Sequence, residues 1–411
     1  MKLRIRRKED EMTVASATSG NAGPKVKSDC LVEYRRTDGE LQVSVDQEAG
    51  TAGALANAVR MAALRLRIRN GEVTVTDSGA APFVAAARFE AAARDLMGDD
   101  LPPPRFEECL MRESEASRPR RSRLYVPGNR PRFFGKALAS GADGVILDLE
   151  DSVAPARKRE ARVLVAHALR ALDFGDVEVM VRINQGDLGL EDLEWIVPQP
   201  VQHILIPKVE DPAQVKAVRD RCREIMRRTG RSEKVWLMPI VESPLGILRG
   251  REIAAAVPEC CALTLGLQDL TAELGVQPTP EGRESFVARS MVVLAARACG
   301  LQPIDTVYSD VKNEEGLRRS VREARELGFG GKGCIHPRQV PGINEEFLPS
   351  QEELEKAKRI VLAMEEADRQ GLGAVAVGSK MVDPPVARQA QNLVGNAVRL
   401  GVLPEDWRDS E

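Results

Sequence analysis

Glu242 and Asp269 each follow a short, apolar, β-rich run, Val235–Val241 and Ala262–Leu267. Two carboxylates at neighbouring strand ends can hold one divalent ion and leave positions open for substrate oxygens, the arrangement magnesium favours. Arg182, close to the end of the run Val177–Ile183, offers a fixed fork for a carboxylate or an enolate oxygen. A hard cation, an arginine and surplus acids at Asp148, Glu150 and Asp151 suit chemistry through an enolate. The chain has only three histidines (His167, His203, His336), and its seven cysteines are scattered without zinc-ligand spacing. A histidine-based hydrolase or a zinc centre is therefore not expected; any metal should be held by oxygen, and the thiols should be buried and reduced.

Other polar residues fall at the ends of similar runs. Pro127-Gly128-Asn129 follows Arg123–Val126 and is placed to contact substrate. Asn184, Lys208, Ser309 and Asp310 close three more. Each has a plain structural alternative. Asp269 alone fits a helix cap, the acids at 148–151 fit a solvated cluster, and Arg182 fits an ion pair with one of them. Asp383, before Pro384 and Pro385, is placed as an N-cap. What favours a site is that so many polar groups gather at one end of successive strands.

The elements that must position these groups are eight apolar runs between Arg123 and Ile335, joined by helical segments. They imply a closed (β/α)8 barrel with its chemistry at the C-terminal strand ends. The runs are almost continuously hydrophobic, as strands buried on both faces require. After the barrel come two helices, the first opened by a capping box of Ser350 and Glu353.

The first region, about residues 12–97, is a small α+β unit. Cys30–Arg36 and Leu41–Asp46 read as strands about a turn at Asp38-Gly39. Leu55, Val59, Ala62 and Leu66 recur at helical spacing, Val73–Thr76 reads as a third strand, and Pro82–Met97 as an alanine-rich helix. Gly98–Arg121, with Pro102-Pro103-Pro104, marks a linker with room for a brief helix at Phe106–Arg112.

Among the 411 residues 43% are hydrophobic and 29% charged, and the net charge of −3 points to no nucleic-acid or membrane-surface partner. The basic runs Met1–Lys8 and Arg118–Arg123 read as a frayed terminus and a linker edge. No apolar stretch approaches a membrane span, and the basic N-terminus lacks the apolar core of a signal peptide, so a cytoplasmic protein is expected.

RRSRLYVPGNRP (from Arg120), GADGVILDLEDSV (from Gly141), VRIN (from Val181), IPKVE (from Ile206), PIVESPLGIL (from Pro239), PIDTVYSDV (from Pro303), GFGGKGCIHPRQV (from Gly328) and KMVDPPVARQAQ (from Lys380) resemble the citrate lyase β-subunit family of HpcH/HpaI aldolases. That family is similar to the malyl-CoA and citramalyl-CoA lyases. The resemblance implies a TIM barrel assembling as a homotrimer or hexamer, with Mg2+ on Glu242 and Asp269 and Arg182 on the substrate carboxylate and developing enolate. It places Asp383 on a C-terminal lid that reaches a neighbouring subunit's site and acts in proton transfer. Gln268 departs from the family's usual glutamate and leaves the metal-binding aspartate intact.

AGPKVKSDCLVEY (from Ala22) and VTVTDSGAAPFVAAARFEAAAR (from Val73) resemble the citrate lyase acyl carrier (γ) subunit. There a serine two positions before the aspartate carries a phosphoribosyl dephospho-CoA arm. Lys27 occupies that position here and Ser28 follows it, so either Ser28 takes the arm or the domain carries none. The expected division is a carrier-like domain at 1–98, a linker at 99–119, a lyase barrel at 120–345 and a helical lid at 346–411. The expected reaction is cleavage of a citryl-type thioester to oxaloacetate or a related 2-oxo acid and an acetyl thioester. A separate transferase (α) subunit would complete a full citrate lyase. The alternatives are a stand-alone malyl-CoA or citramalyl-CoA lyase with an unmodified docking domain, acting on free CoA thioester, and a non-catalytic scaffold of a lyase complex.

Overall fold

The computed structural model describes residues 15–46, 51–102, 111–279, 281–377 and 380–408. The first domain contains β1 (Ser16–Gly20), β2 (Asp29–Glu40), β3 (Gln42–Asp46), α1 (Ala52–Arg65), β4 (Asn70–Ser78) and α2 (Pro82–Met97). Its sheet has the order β1-β2-β4-β3, with both helices packed against it. Period-2 alternation puts Val32 and Tyr34 of β2 and Val73 and Val75 of β4 into the core. On α1 the predicted stripe Leu55, Val59 and Ala62 is buried.

The hairpin expected at Asp38-Gly39 does not form. β2 runs on through both residues and pairs with β4, and β3 lies on the far side of β4, parallel to it. The physical reason is the crossover: α1 connects β3 to β4, and a helical connection between neighbouring strands makes them parallel. Strand β1 is an addition to the sequence reading. Of the brief helix expected at Phe106–Arg112, residues 106–110 lie outside the described residues, and Met111 and Arg112 are not helical.

The second domain is a closed barrel of eight parallel strands. Its strands are β5 (Ser122–Pro127), β6 (Gly144–Asp148), β7 (Glu178–Arg182), β8 (His203–Ile206), β9 (Trp236–Val241), β10 (Ala262–Leu265), β11 (Gln302–Asp305) and β12 (Gly331–Cys334). All eight fall within or beside the apolar runs that predict them. Between and after them lie α3 (Phe134–Leu138), α4 (Lys158–Ala171), α5 (Gly186–Ile196), α6 (Pro212–Thr229), α7 (Pro244–Leu248), α8 (Gly250–Ala254), α9 (Leu267–Leu274), α10 (Phe286–Ala298), α11 (Glu314–Leu327) and α12 (Gln339–Glu346). The lumen is filled by Ile146, Met180, Leu205, Met238, Ile240 and Ile304.

The basic run at 118–123 is not a linker edge. Arg120 and Arg123 are fully buried. Arg120 forks onto Glu178 at 2.6 and 3.0 Å and donates to the carbonyls of Glu115, Ala116 and Arg118, sealing the N-terminal end of the barrel. His203 reaches the same carboxylate at 2.9 Å. Burial works against the Glu178 charge, but the His203 hydrogen bond and the Arg120 cation hold its pKa down to about 2. Burial also lowers the His203 pKa, so the neutral ring donates through Nε2 and Arg120 supplies the charge.

The tail forms α13 (Gln351–Arg369), a two-stranded ribbon of β13 (Val375–Val377) and β14 (Lys380–Val382), and α14 (Pro384–Arg399). It has a core of its own around Leu354, Val361, Val394 and Trp407. The Ser350–Glu353 capping box forms as expected. No helix among the described residues is long and apolar enough to cross a membrane.

The first domain and the barrel share one continuous core. Helix α2 lies between its own sheet and barrel helix α4, which explains why Val84 through Ala93 are buried on every side. The buried charged groups of α2 are paired across this junction. Arg88 is fully buried, forks onto Asp29 at 2.9 and 3.0 Å and binds Glu160 of α4. Glu90 accepts from His167 of α4 at 2.9 Å.

Candidate active site

At the C-terminal mouth of the barrel, β6 ends at Asp148, β7 at Arg182 and β9 just before Glu242. Asp269 does not end a strand. β10 stops at Leu265, and Asp269 sits in the first turn of α9. The N-cap of α9 is Gly266, with no side-chain cap bond, so Asp269 is not the capping residue either. These groups open onto one cavity of about 320 Å³ lined by Tyr125, Asp148, Arg182, Glu242 and Asp269, with Arg123 as a further wall.

Arg182 forks onto Asp148 through Nε at 2.6 Å and Nη2 at 2.8 Å, and its Nη1 lies 3.1 Å from Glu150. The ion-pair alternative for Arg182 is therefore realised, and it also orients the guanidinium at the mouth. Burial works against the Arg182 charge, but the Asp148 hydrogen bonds and charge more than offset it, and its pKa is raised. Asp148 is correspondingly lowered: burial opposes ionisation and Arg182 overrides it. Asp148 and Glu150 are buried while Asp151 is half exposed, so only Asp151 behaves as the solvated acid of the structural alternative.

Lys208, just past β8, joins the two halves of the site. Its Nζ lies 3.2 Å from Glu150, 3.4 Å from Asp151 and 3.6 Å from Asp269. Its backbone N–H donates to Glu242 Oε1 at 2.8 Å. Lys208 has φ +50, a left-handed conformation that costs a non-glycine residue energy and aims this amide at the carboxylate.

Glu242 is buried, and its pKa is pushed up to about 7 by burial and then by the Asp269 charge. Two acids that repel, one of them buried, fit a shared cation, which removes both penalties. The donors are all oxygen, as magnesium requires. The backbone also makes room: a Cβ on Gly266 would lie 2.2 Å from Glu242 Oε2, so only glycine lets the carboxylate occupy this place. No group of three or more His, Cys, Asp or Glu side chains is placed to hold a metal among the described residues. A two-carboxylate magnesium site needs no third protein ligand, because water and ligand oxygens complete it.

The other predicted residues lie as follows. Gly128 is held against β6, its N–H donating to Asp148 O at 2.8 Å; a Cβ there would meet that oxygen at 2.7 Å. Pro127 ends β5, and Asn129 lines a separate cavity beside the mouth. Gln268 is exposed at the rim, and Asp310 is exposed, accepting from the Lys312 amide at 3.1 Å. Asp383 is the N-cap of α14, accepting from Val386 N at 3.2 Å, and does not line the mouth of its own barrel. Ser28 is exposed with φ +57, between Lys27 and the buried Asp29. Sequence reasoning passes over Tyr125 and Arg123 as site walls and gives Lys208 no role. The signal for Lys208 is the same strand-end position that singles out Glu242. Tyr125 and Arg123 carry the alternation of a strand whose odd positions face the lumen.

Residues 121–337 match the HpcH/HpaI aldolase/citrate lyase family, and residues 17–96 match the acyl-carrier family described as malonate decarboxylase delta subunit. Citrate lyase subunit beta of Haemophilus influenzae is 38% identical over 289 residues, covering 70% of this chain and 99% of that protein. The L-malyl-CoA/beta-methylmalyl-CoA lyase of Cereibacter sphaeroides is 38% identical over 68% of this chain and 95% of its own. Among solved structures, CitE of Mycobacterium tuberculosis in complex with magnesium, acetoacetate and coenzyme A is 33% identical, with a TM-score of 0.57 over 69% of this chain and 99% of that one. The chain thus carries an acyl-carrier-like domain ahead of its barrel and belongs to the HpcH/HpaI aldolase/citrate lyase family of lyases.

Proposed function

We propose that this chain is a magnesium-dependent carbon–carbon lyase that cleaves a hydroxy-acid thioester into a 2-oxo acid and an acetyl thioester, with a citryl-type ester as substrate and oxaloacetate as the oxo acid. The observation that carries this reading is the convergence of Glu242, Asp269 and Arg182 on one cavity, with Glu242 raised toward neutrality as an unshared acid would be. The relatives named above, a citrate lyase subunit and a malyl-CoA lyase, support the reaction class.

Glu242 and Asp269 would hold the Mg2+. Bound there, the ion supplies Lewis acidity toward the oxygens of the hydroxy acid. Arg182, fixed by Asp148 and Glu150, is preorganised to bind a substrate carboxylate and the enolate oxygen as charge develops. The substrate hydroxyl loses its proton to a base, the carbon–carbon bond breaks, the hydroxyl carbon becomes the oxo group, and the electron pair leaves as the acetyl-thioester enolate, which takes up a proton. The proton-transfer group is Asp383 supplied by another subunit of a homotrimer or hexamer, since Asp383 does not line its own mouth. The thioester reaches the site either as free coenzyme A ester or on a phosphoribosyl dephospho-CoA arm at Ser28, in which case a transferase (α) subunit would be the partner.

The test combines an acyl panel with intact mass. Magnesium-dependent release of a 2-oxo acid from citryl-, malyl- or citramalyl-CoA is expected, abolished in a folded Glu242→Ala variant. No turnover of any of the three by magnesium-loaded protein, with or without the arm, would overturn the reading. A mass increment on Ser28 selects the tethered form.

A further inference from the structure

The buried arginines among the described residues are Arg88, Arg120, Arg123, Arg162, Arg231 and Arg289. Arg88, Arg120, Arg162 and Arg289 each pair with a carboxylate, and Arg231 donates to backbone carbonyls. Arg123 does neither. Among the described residues its one polar contact is from Nη1 to the Met238 sulfur at 3.5 Å, a weak acceptor, and its Nε and Nη2 have no partner. A guanidinium buried without an anion is costly. The space about it is kept open. Arg123 points into the lumen, where Met238 lies, and its neighbours in the sheet on either side are Gly144 and Gly333. A Cβ on Gly144 would lie 2.5 Å from Met180 Cε, and one on Gly333 would lie 2.9 Å from Val307. Arg123 stands well below the C-terminal end of β5 and forms the floor of the active-site cavity, whose wall includes Thr264 and Ile240. Thr264 is buried as well, and its Oγ1 also has no partner. An unpaired guanidinium and an unpaired hydroxyl in one cavity match the acceptor oxygens of a carboxylate.

We propose that Arg123 and Thr264 form a subsite for a second carboxylate of the substrate, and so select a hydroxy acid whose hydroxyl carbon carries a carboxymethyl arm. The inference rests on the thioester-lyase reading for the identity of the ligand; the anionic chemistry rests on the cavity floor alone. Malyl, citramalyl and citryl thioesters differ only at that carbon, which bears hydrogen, methyl or carboxymethyl respectively. The hydroxyl and the first carboxylate fall to Arg182 and to the ion that Glu242 and Asp269 would hold. The carboxylate of the arm needs a further cation, in a cavity also lined by Asp148, Asp151, Glu242 and Asp269. Arg182 is already shared by Asp148 and Glu150, and Lys208 by Glu150, Asp151 and Asp269. Arg123 is the cation without an acid. The reach agrees. Thr264 is paired with Ile240, about 7 Å of strand below Glu242. A carboxymethyl group and its hydrogen bond extend about 6 Å beyond the hydroxyl carbon. Hydrogen or methyl at that carbon leaves the guanidinium without an anion, so the preference follows from an unmet charge and not from size alone.

The experiment uses the magnesium-loaded full chain and has two readouts. Calorimetry compares malate with lactate, which present a carboxymethyl arm and a methyl group on the same hydroxy acid and need no turnover. Steady-state kinetics compares kcat/KM for citryl-CoA with that for citramalyl-CoA. Wild type is expected to prefer malate and citryl-CoA. Arg123→Met keeps much of the volume and removes the charge; it should lower both preference ratios about 30-fold, the size of one charge-assisted contact. Its thermal unfolding should stay at or above that of wild type, because an unpaired buried cation is gone. Thr264→Val removes only the hydroxyl and should lower the ratios about fivefold; it decides the matter if Arg123→Met does not fold. Equal binding of malate and lactate by wild type, or ratios within twofold of wild type in a folded variant, would overturn the proposal and leave buried water as the partner of Arg123. Turnover with unchanged ratios counts against the subsite and leaves the reaction standing. Absence of turnover with malate binding still dependent on Arg123 counts against the reaction and leaves the subsite standing.

Discussion

Replacing Arg88 by methionine tests how the two domains are joined. Methionine keeps most of the buried aliphatic stem and removes the cation. Asp29 then stays buried without its fork, and Glu160 loses one of two arginines. Removing one partner of a buried pair costs about 3–5 kcal/mol, mostly for the charge left behind. The low end applies here, about 3 kcal/mol, because Asp29 retains Asn21 at 2.8 Å and the Cys30 amide at 2.9 Å, and Glu160 retains Arg157 at 2.6 Å. Adding Asp29→Asn removes the stranded charge and should recover at least about 1 kcal/mol, so the two changes are strongly non-additive. Urea unfolding measures the total, and hydrogen exchange of the α2 amides reports whether the first domain opens first. A loss below about 1 kcal/mol for Arg88→Met, or simple additivity with Asp29→Asn, would show that the ion pairs do not hold this junction.

Four further outcomes are expected. Glu242→Gln should abolish magnesium binding, read by calorimetry, while leaving the protein as stable or slightly more so, because it removes repulsion with Asp269. In the metal-free wild type, the Glu242 carboxyl ionises only near pH 7, so magnesium affinity should rise with pH up to about 7 and flatten above it; a flat profile between pH 5 and 7 would contradict the raised pKa. The folded-state pKa of Glu178 lies well below its unfolded value, so its stabilisation is present above about pH 4.5 and lost as pH falls toward 2; Glu178→Gln should flatten acid unfolding over that window. Arg182→Lys should lower kcat by about 100-fold or more, because a single ammonium cannot keep the fork on Asp148 and also face a ligand oxygen.

The barrel is legible in the sequence because parallel strands buried on both faces must be continuously apolar, and runs such as Gly144–Leu149 have few other readings. Strand β1, SATSG, is not: it is small and polar, and it exists only because β2 offers an edge. The Asp38-Gly39 hairpin is a case where local turn chemistry loses to a crossover helix that no short window contains. Glu242 and Arg182 can be read from strand ends, since that rule depends on position along the chain. The same rule points to Lys208, but its amide bond to Glu242 depends on a left-handed φ, which leaves no mark in residue type. The junction of the domains is equally hidden: Arg88 and Glu160 are 72 positions apart, and nothing local pairs them. The basic run at 118–123 misleads because a charge in the sequence looks the same whether it meets water or a buried glutamate.

The burial of α2 between its own sheet and α4 bears on how acyl groups could travel. A carrier that delivers cargo by swinging needs a hinge and a soft interface, and this domain is fastened to the barrel by a shared core and buried ion pairs. Its loop 21–29 is consequently a fixed post beside one active-site mouth. Any flexible reach has to come from the length of a coenzyme arm, and any exchange with a partner enzyme has to come from that partner docking at the post.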